Sequence, residues 1–132
     1  MIDAEAKIRE FLVADVTLET VVSTRIYAGT DVPAVGYTPS DGAAICFKVR
    51  GGSITTQQRD LLLASVQFKC YGATEIEANE CARALFDALD QGRGGTMRWA
   101  YAEGLGQLLQ DQERDKNWWF VLMFYTCILD DS

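Results

Sequence analysis

The sequence predicts an α+β domain, with a mainly antiparallel sheet and helices packed on one face of it. Three observations predict this fold class. Runs rich in aromatic and β-branched residues favour strands, short connections between successive strands favour antiparallel pairing, and two stretches have helical periodicity, one short and N-terminal, one longer over about 74–90. With 132 residues the chain is predicted to be one domain, 1–132.

The predicted last strand, Trp118 to Leu129, is the segment around which the rest is organised. Successive side chains of a strand point to opposite faces, and both faces of this strand are apolar. It is too short for a membrane span, which needs about 20 apolar residues. Helices can cover one face. The other is covered either by the rest of the same domain, as a curled sheet or loop, or by another copy of the protein.

The N-terminal third is predicted to contain two helices and a short extended piece. The first helix is expected at residues 3–14, capped by Asp3. A short helical turn is expected at residues 17–22 with Thr17 as its cap, although its β-branched residues suit a strand as well. The tripeptide Arg25-Ile26-Tyr27 is predicted to be extended.

Two strands and two loops follow. A loop with both prolines spans Gly29 to Gly42, and a strand is predicted from Ala43 to Val49. A polar loop, Gly51 to Asp60, joins it to the strand Leu61 to Tyr71, whose alternation predicts an antiparallel sheet with one solvated face. Long loops are often functional, but plain surface variability is the simpler interpretation.

The main helix and two further strands complete the pattern. Thr74 and Glu77 form a capping box that predicts the start of this helix, whose apolar stripe is expected to include Phe86. Strands are predicted at Met97 to Ala102 and Leu105 to Gln112, paired with each other across a turn at Glu103-Gly104.

The net charge of −7 and the isoelectric point near 4.5 restrict the function classes. A nucleic-acid reader needs a basic patch, and an anionic membrane repels an acidic chain. The charge is compatible with a surface that nucleic acid passes without sticking, although solubility alone explains it as well. No signal-peptide pattern is present, so the chain is expected to fold in the cytoplasm.

The sequence offers little catalytic chemistry, and the protein is predicted not to be an enzyme and to need no cofactor. It contains no histidine, the commonest general base. Its four cysteines lack ligand spacing and are predicted to be reduced core thiols, with a metal site as a remote alternative. The carboxylates of Asp111, Glu113 and Asp115 could bind a cation, but a solvated charged loop is the simpler interpretation.

The order and spacing of these pieces carry a family resemblance. They are Arg25-Ile26-Tyr27, the junction at which the strand ending Tyr71-Gly72 leads directly into the capped helix, and the last strand beginning Trp118-Trp119. Over nearly the whole chain this pattern resembles the tail-terminator (tail-completion) proteins of long-tailed, siphophage-type bacteriophages.

The resemblance implies an assembly function. Such a protein forms a homo-hexamer ring that caps the completed tail tube, stops tube polymerisation and provides the face for head–tail joining. The implied partners are copies of itself, the tail tube protein and a head–tail connector or neck protein. DNA would pass through the lumen without specific binding, and no membrane is involved. The implied location is the tail or neck of the virion, after assembly in the host cytoplasm.

Six residues are candidates for interface contacts. The doubly apolar last strand points to subunit contacts, and the two long loops point to contacts with tube or connector: Trp119, Tyr125, Ile54, Gln57, Val35 and Tyr37. Two alternatives stay open. One is another phage neck component, either a head-completion or a minor tail protein. The other is a small cytoplasmic ligand-binding domain or enzyme with a deep pocket.

Overall fold

The computed structural model describes residues 3–29, 36–55, 61–90, 97–104, 106–111 and 118–130. Within these ranges the chain forms three α-helices and a mostly antiparallel six-stranded sheet, which confirms the predicted α+β class. In chain order the elements are α1 (Ala4–Val13), α2 (Val16–Val22), β1 (Ile26–Ala28), a short 3-10 turn (Pro39–Asp41), β2 (Ala44–Thr55), β3 (Leu61–Gly72), α3 (Glu75–Leu89), β4 (Met97–Ala102), β5 (Gln107–Asp111) and β6 (Trp118–Asp130).

Side-chain caps begin each of the three helices. The carboxylate of Asp3 accepts the Ala6 N–H at 3.2 Å, and the hydroxyl of Thr74 accepts the Glu77 N–H at 3.2 Å, so both predicted caps are confirmed. The predicted cap at Thr17 is wrong. Helix α2 begins at Val16 because Asp15, the residue before it, accepts the Leu18 N–H at 2.8 Å.

Strand β6 lies in the interior of the sheet, whose strand order is β1-β2-β3-β6-β4 with β5 also on β6. On one side β6 pairs antiparallel with β3 along almost its entire length, from Leu61 opposite Asp130 to Gly72 opposite Trp119. On its other side it pairs with both β4 and β5.

The predicted hairpin of β4 and β5 is wrong. Strand β4 pairs with residues 125–129 of β6, and β5 with residues 118–122, so the two follow one another along the same edge. The Glu103 N–H donates to the carbonyl oxygen of Phe124 at 2.9 Å and continues the pairing between them. Because β6 is longer than either strand, it accommodates both, and Glu103-Gly104 interrupts one long edge strand rather than reversing the chain.

Strand β2 is longer than predicted, and it pairs with β1 as well as with β3. The ladder with β3 continues from Gly51 opposite Ser65 to Thr55 opposite Leu61, so the first five residues of the predicted loop 51–60 are strand. Backbone pairing does not need apolar side chains, so the polar residues after Gly51 led to a predicted strand end that was too early. The extended piece predicted around Ile26 is the short strand β1, which pairs parallel with β2, and the long connection between them permits this arrangement.

The main core lies between the helices and one face of the sheet. Side chains of α1 and α2 are buried there against the inward stripe of α3 and against alternate residues of β2, β3 and β6. The aromatic rings of Phe47 and Phe68 stack at 5.7 Å within it. The opposite sheet face has its own, smaller cluster, which contains no helical residue in the described ranges.

Candidate subunit interface

The odd-numbered side chains of β6 face the helices. Those of Val121, Met123, Tyr125, Cys127 and Leu129 are all buried in the main core. The Tyr125 ring is 0% exposed and meets the Phe68 ring edge-on at 5.3 Å. The structure therefore corrects the expectation that Tyr125 lies on an exposed or subunit-facing side: it is buried in the main core.

The even-numbered face of β6 is covered at one end by the chain's own loop. Residues 36–42 lie there, and the Tyr37 ring meets the Trp118 ring edge-on at 5.9 Å. The Tyr37 hydroxyl donates to the carbonyl oxygen of Gly42 at 2.7 Å, and burial raises the pKa of Tyr37 above its usual value. Tyr37 thus packs within its own subunit, and at this end the same-domain alternative is correct.

The remainder of that face is only partly covered. Its apolar side chains are half-buried, except that of Tyr101, which is 42% exposed. We call this surface the open sheet face; its apolar members are Leu63, Trp99, Tyr101, Leu122, Phe124 and Ile128. The three described helices all lie on the other side of the sheet, so they leave this surface available to a partner.

The open sheet face is basic, although the chain as a whole is acidic. Lys48, Arg50 and Lys69 stand on it, with the Arg50 guanidinium 4.8 Å from the centre of the Phe124 ring. Among the described residues none of the three forms an ion pair with a carboxylate. Glu103 supplies an opposite charge at the rim, where it accepts a hydrogen bond from the Thr126 hydroxyl at 3.2 Å.

The outward face of α3 carries a second exposed surface that the sequence analysis missed. Ile76 is 70% exposed and Phe86 is 41% exposed, so the prediction that Phe86 belongs to the buried stripe is wrong. Helical spacing places Phe86 at the edge of that stripe, beyond the reach of the sheet. For Ile76, the available signal was its position between the charged residues Glu75 and Glu77. We call this surface the outer face of α3: Glu75, Ile76, Asn79, Glu80, Arg83, Phe86 and Asp87.

Trp119 lies where the cover by α3 ends. It is half-buried against the main core and lines a depression of about 360 Å³ together with Ala73, Thr74, Glu75 and Ile76. Its place at a contact between subunits stays a prediction. Of the other candidates, Val35, Gln57 and the side chain of Ile54 lie outside the part of the chain that the structure describes.

All four cysteines are buried thiols, as predicted. A hydrogen bond with Cys81 and burial raise the pKa of the Cys70 thiol, and burial raises the pKa of Cys127 to about 12. A thiol with so high a pKa is protonated at neutral pH and is a poor nucleophile. Among the described residues no group of three or more acidic, cysteine or histidine side chains could hold a metal ion. No described helix is long and apolar enough to cross a membrane.

Comparison with known proteins gives a structural likeness alone. No family model matches the chain, and no curated protein matches it. Among solved structures, fifteen chains match. One is a chain of the "Virion of native gene transfer agent (GTA) particle", which is 14% identical, with 92% of this chain and 90% of that chain covered and a TM-score of 0.62. The two chains share a fold over nearly their whole lengths.

Proposed function

We propose that the protein is a virion structural protein that caps the completed phage tail tube as a homo-hexameric ring. In this role it stops tube polymerisation, provides the face to which the head joins, and catalyses no reaction. The observation that carries the proposal is the fold shared with a chain of a gene transfer agent virion over 92% of the sequence. The resemblance of the sequence pattern to tail terminators supports the finer assignment.

The surfaces of the subunit suit a ring. A monomer that leaves an open sheet face and the outer face of α3 exposed has apolar surface to bury against neighbours, and closed rings bury such surface between subunits. The other partners in this proposal are the tail tube protein and a head–tail connector or neck protein. An acidic chain suits a lumen through which DNA passes without specific binding.

The direct functional test is elongation of tail tubes in the presence of the purified protein. We expect the protein to bind one end of each tube and to stop further addition of tube subunits, which electron microscopy measures as end density and tube length. A protein that leaves tube length unchanged and does not bind tube ends contradicts the proposal. Binding to the head connector alone would instead support the neck-component alternative.

A further inference from the structure

We propose that the outer face of α3 of one subunit docks on the open sheet face of the next subunit, in a head-to-tail contact. The inference rests on the proposed function for the identity of the partner, a second copy of this chain. It adds which two surfaces meet; the sequence pattern pointed to the last strand and not to the outer face of α3.

Opposite charges on the two surfaces support this pairing. The open sheet face carries Lys48, Arg50 and Lys69, none of which has a carboxylate partner among the described residues. The outer face of α3 carries the carboxylates of Glu75, Glu80 and Asp87 against the single guanidinium of Arg83. Complementary charges steer association and fix the register of an interface.

The apolar groups on the two surfaces have similar spans. Ile76 and Phe86 are ten residues apart on α3, which is about 15 Å at the helical rise. On the open sheet face, Leu122 and Ile128 are six residues apart, which is about 20 Å along a strand. One exposed helix face can therefore lie along the uncovered half of the sheet, with its two apolar side chains against the apolar strand residues.

The positive charges of the open sheet face disfavour a symmetric dimer in which two such faces meet. If two open sheet faces met around a two-fold axis, Lys48, Arg50 and Lys69 would face their own copies, and like charges would repel. A contact between two different surfaces leaves the open sheet face free on one subunit and the outer face of α3 free on the other. Such a heterologous contact continues from copy to copy and closes into a ring where the rotation permits.

Paired charge reversals test the contact. One variant combines Lys48→Glu with Arg50→Glu, and the other combines Glu80→Lys with Asp87→Lys; all four side chains are exposed. We expect that neither variant assembles alone. Light scattering measures the mass of each variant in free solution and in the presence of tail tubes. An equimolar mixture should assemble again, because each reversed surface then meets an oppositely charged neighbour. Reversal of Glu10 and Glu19 to lysine, on α1 and α2, is the matched control for the second variant, because it makes the same change in net charge.

The possible outcomes separate the contact from the function. If the wild-type chain forms rings that neither reversal weakens, or if the control reversal weakens them equally, the proposed contact is wrong and the capping function stands. If the mixture of the two variants fails to assemble although each variant retains the wild-type circular dichroism spectrum, the contact is also wrong. A wild-type chain that stays monomeric even with tail tubes overturns both the contact and the proposed function.

Discussion

The hydroxyl group of Tyr125 is buried without a hydrogen-bond partner among the described residues, and burial raises the pKa of Tyr125. An unpaired buried polar group costs about 1–3 kcal/mol. The hydroxyl of Tyr37 is the opposite case, because it donates to the Gly42 carbonyl oxygen at 2.7 Å. The two tyrosines lie on opposite faces of the sheet. The hydroxyl group of Tyr37 therefore stabilises the fold, and that of Tyr125 does not.

Removing each hydroxyl should change stability in opposite directions. We expect Tyr125→Phe to leave the free energy of unfolding unchanged or to raise it by about 1 kcal/mol, since it removes an unpaired group. Tyr37→Phe, the matched comparison, should lower it by about 1 kcal/mol because a hydrogen bond is lost. Urea unfolding of both variants measures the difference. A loss of stability in Tyr125→Phe as large as that in Tyr37→Phe would show that the Tyr125 hydroxyl has a partner.

At the scale of elements, the junction between β3 and α3 determines where the cover by α3 ends on the helix-facing side of β6. Gly72, the last residue of β3, pairs with Trp119, and α3 begins at Glu75. A Cβ atom on Gly72 would meet the backbone nitrogen of Ala78 and the Glu77 side chain. Only glycine lets the first turn of the helix approach the strand this closely, and this approach leaves Trp119 partly exposed just outside the helix.

Substitution of Gly72 should therefore damage the fold more than substitution of a glycine with open space. We expect Gly72→Ala to lower the free energy of unfolding by about 1–3 kcal/mol, because the helix must move away from the strand. Gly104 is the control, since a Cβ added there meets nothing within 4 Å. Thermal unfolding followed by circular dichroism compares the two variants. Equal melting temperatures would mean that α3 does not need the close approach.

The sequence predicts where helices and strands lie better than it predicts which strands pair with each other. Alternation and capping are local properties, so β3 and α3 were predicted within one residue of their observed bounds. The partner of β5 is not a local property, because it depends on the length of the distant β6. The same reason explains Tyr125: its pattern showed two apolar faces on β6, but not where along the strand α3 would lie.

At the scale of the whole molecule, the chain has its cations and its carboxylates concentrated on two different surfaces. A chain with a net charge of −7 places three cations on the open sheet face and a carboxylate-rich stripe on the outer face of α3. The sequence indicated that one face of β6 needed cover from elsewhere. It did not indicate which surface provides it, because the basic residues of β2 and β3 meet the aromatic residues of β6 only in the folded sheet.

The proposal that the chain forms a ring on the tail tube is best tested by the mass of the wild-type protein. Light scattering measures this mass over a range of concentrations, and again with tail tubes present. We expect a discrete species of six chains of 14.6 kDa each, either free in solution or at tube ends. A chain that stays monomeric at every concentration, and also in the presence of tail tubes, would contradict the ring and the capping function that depends on it.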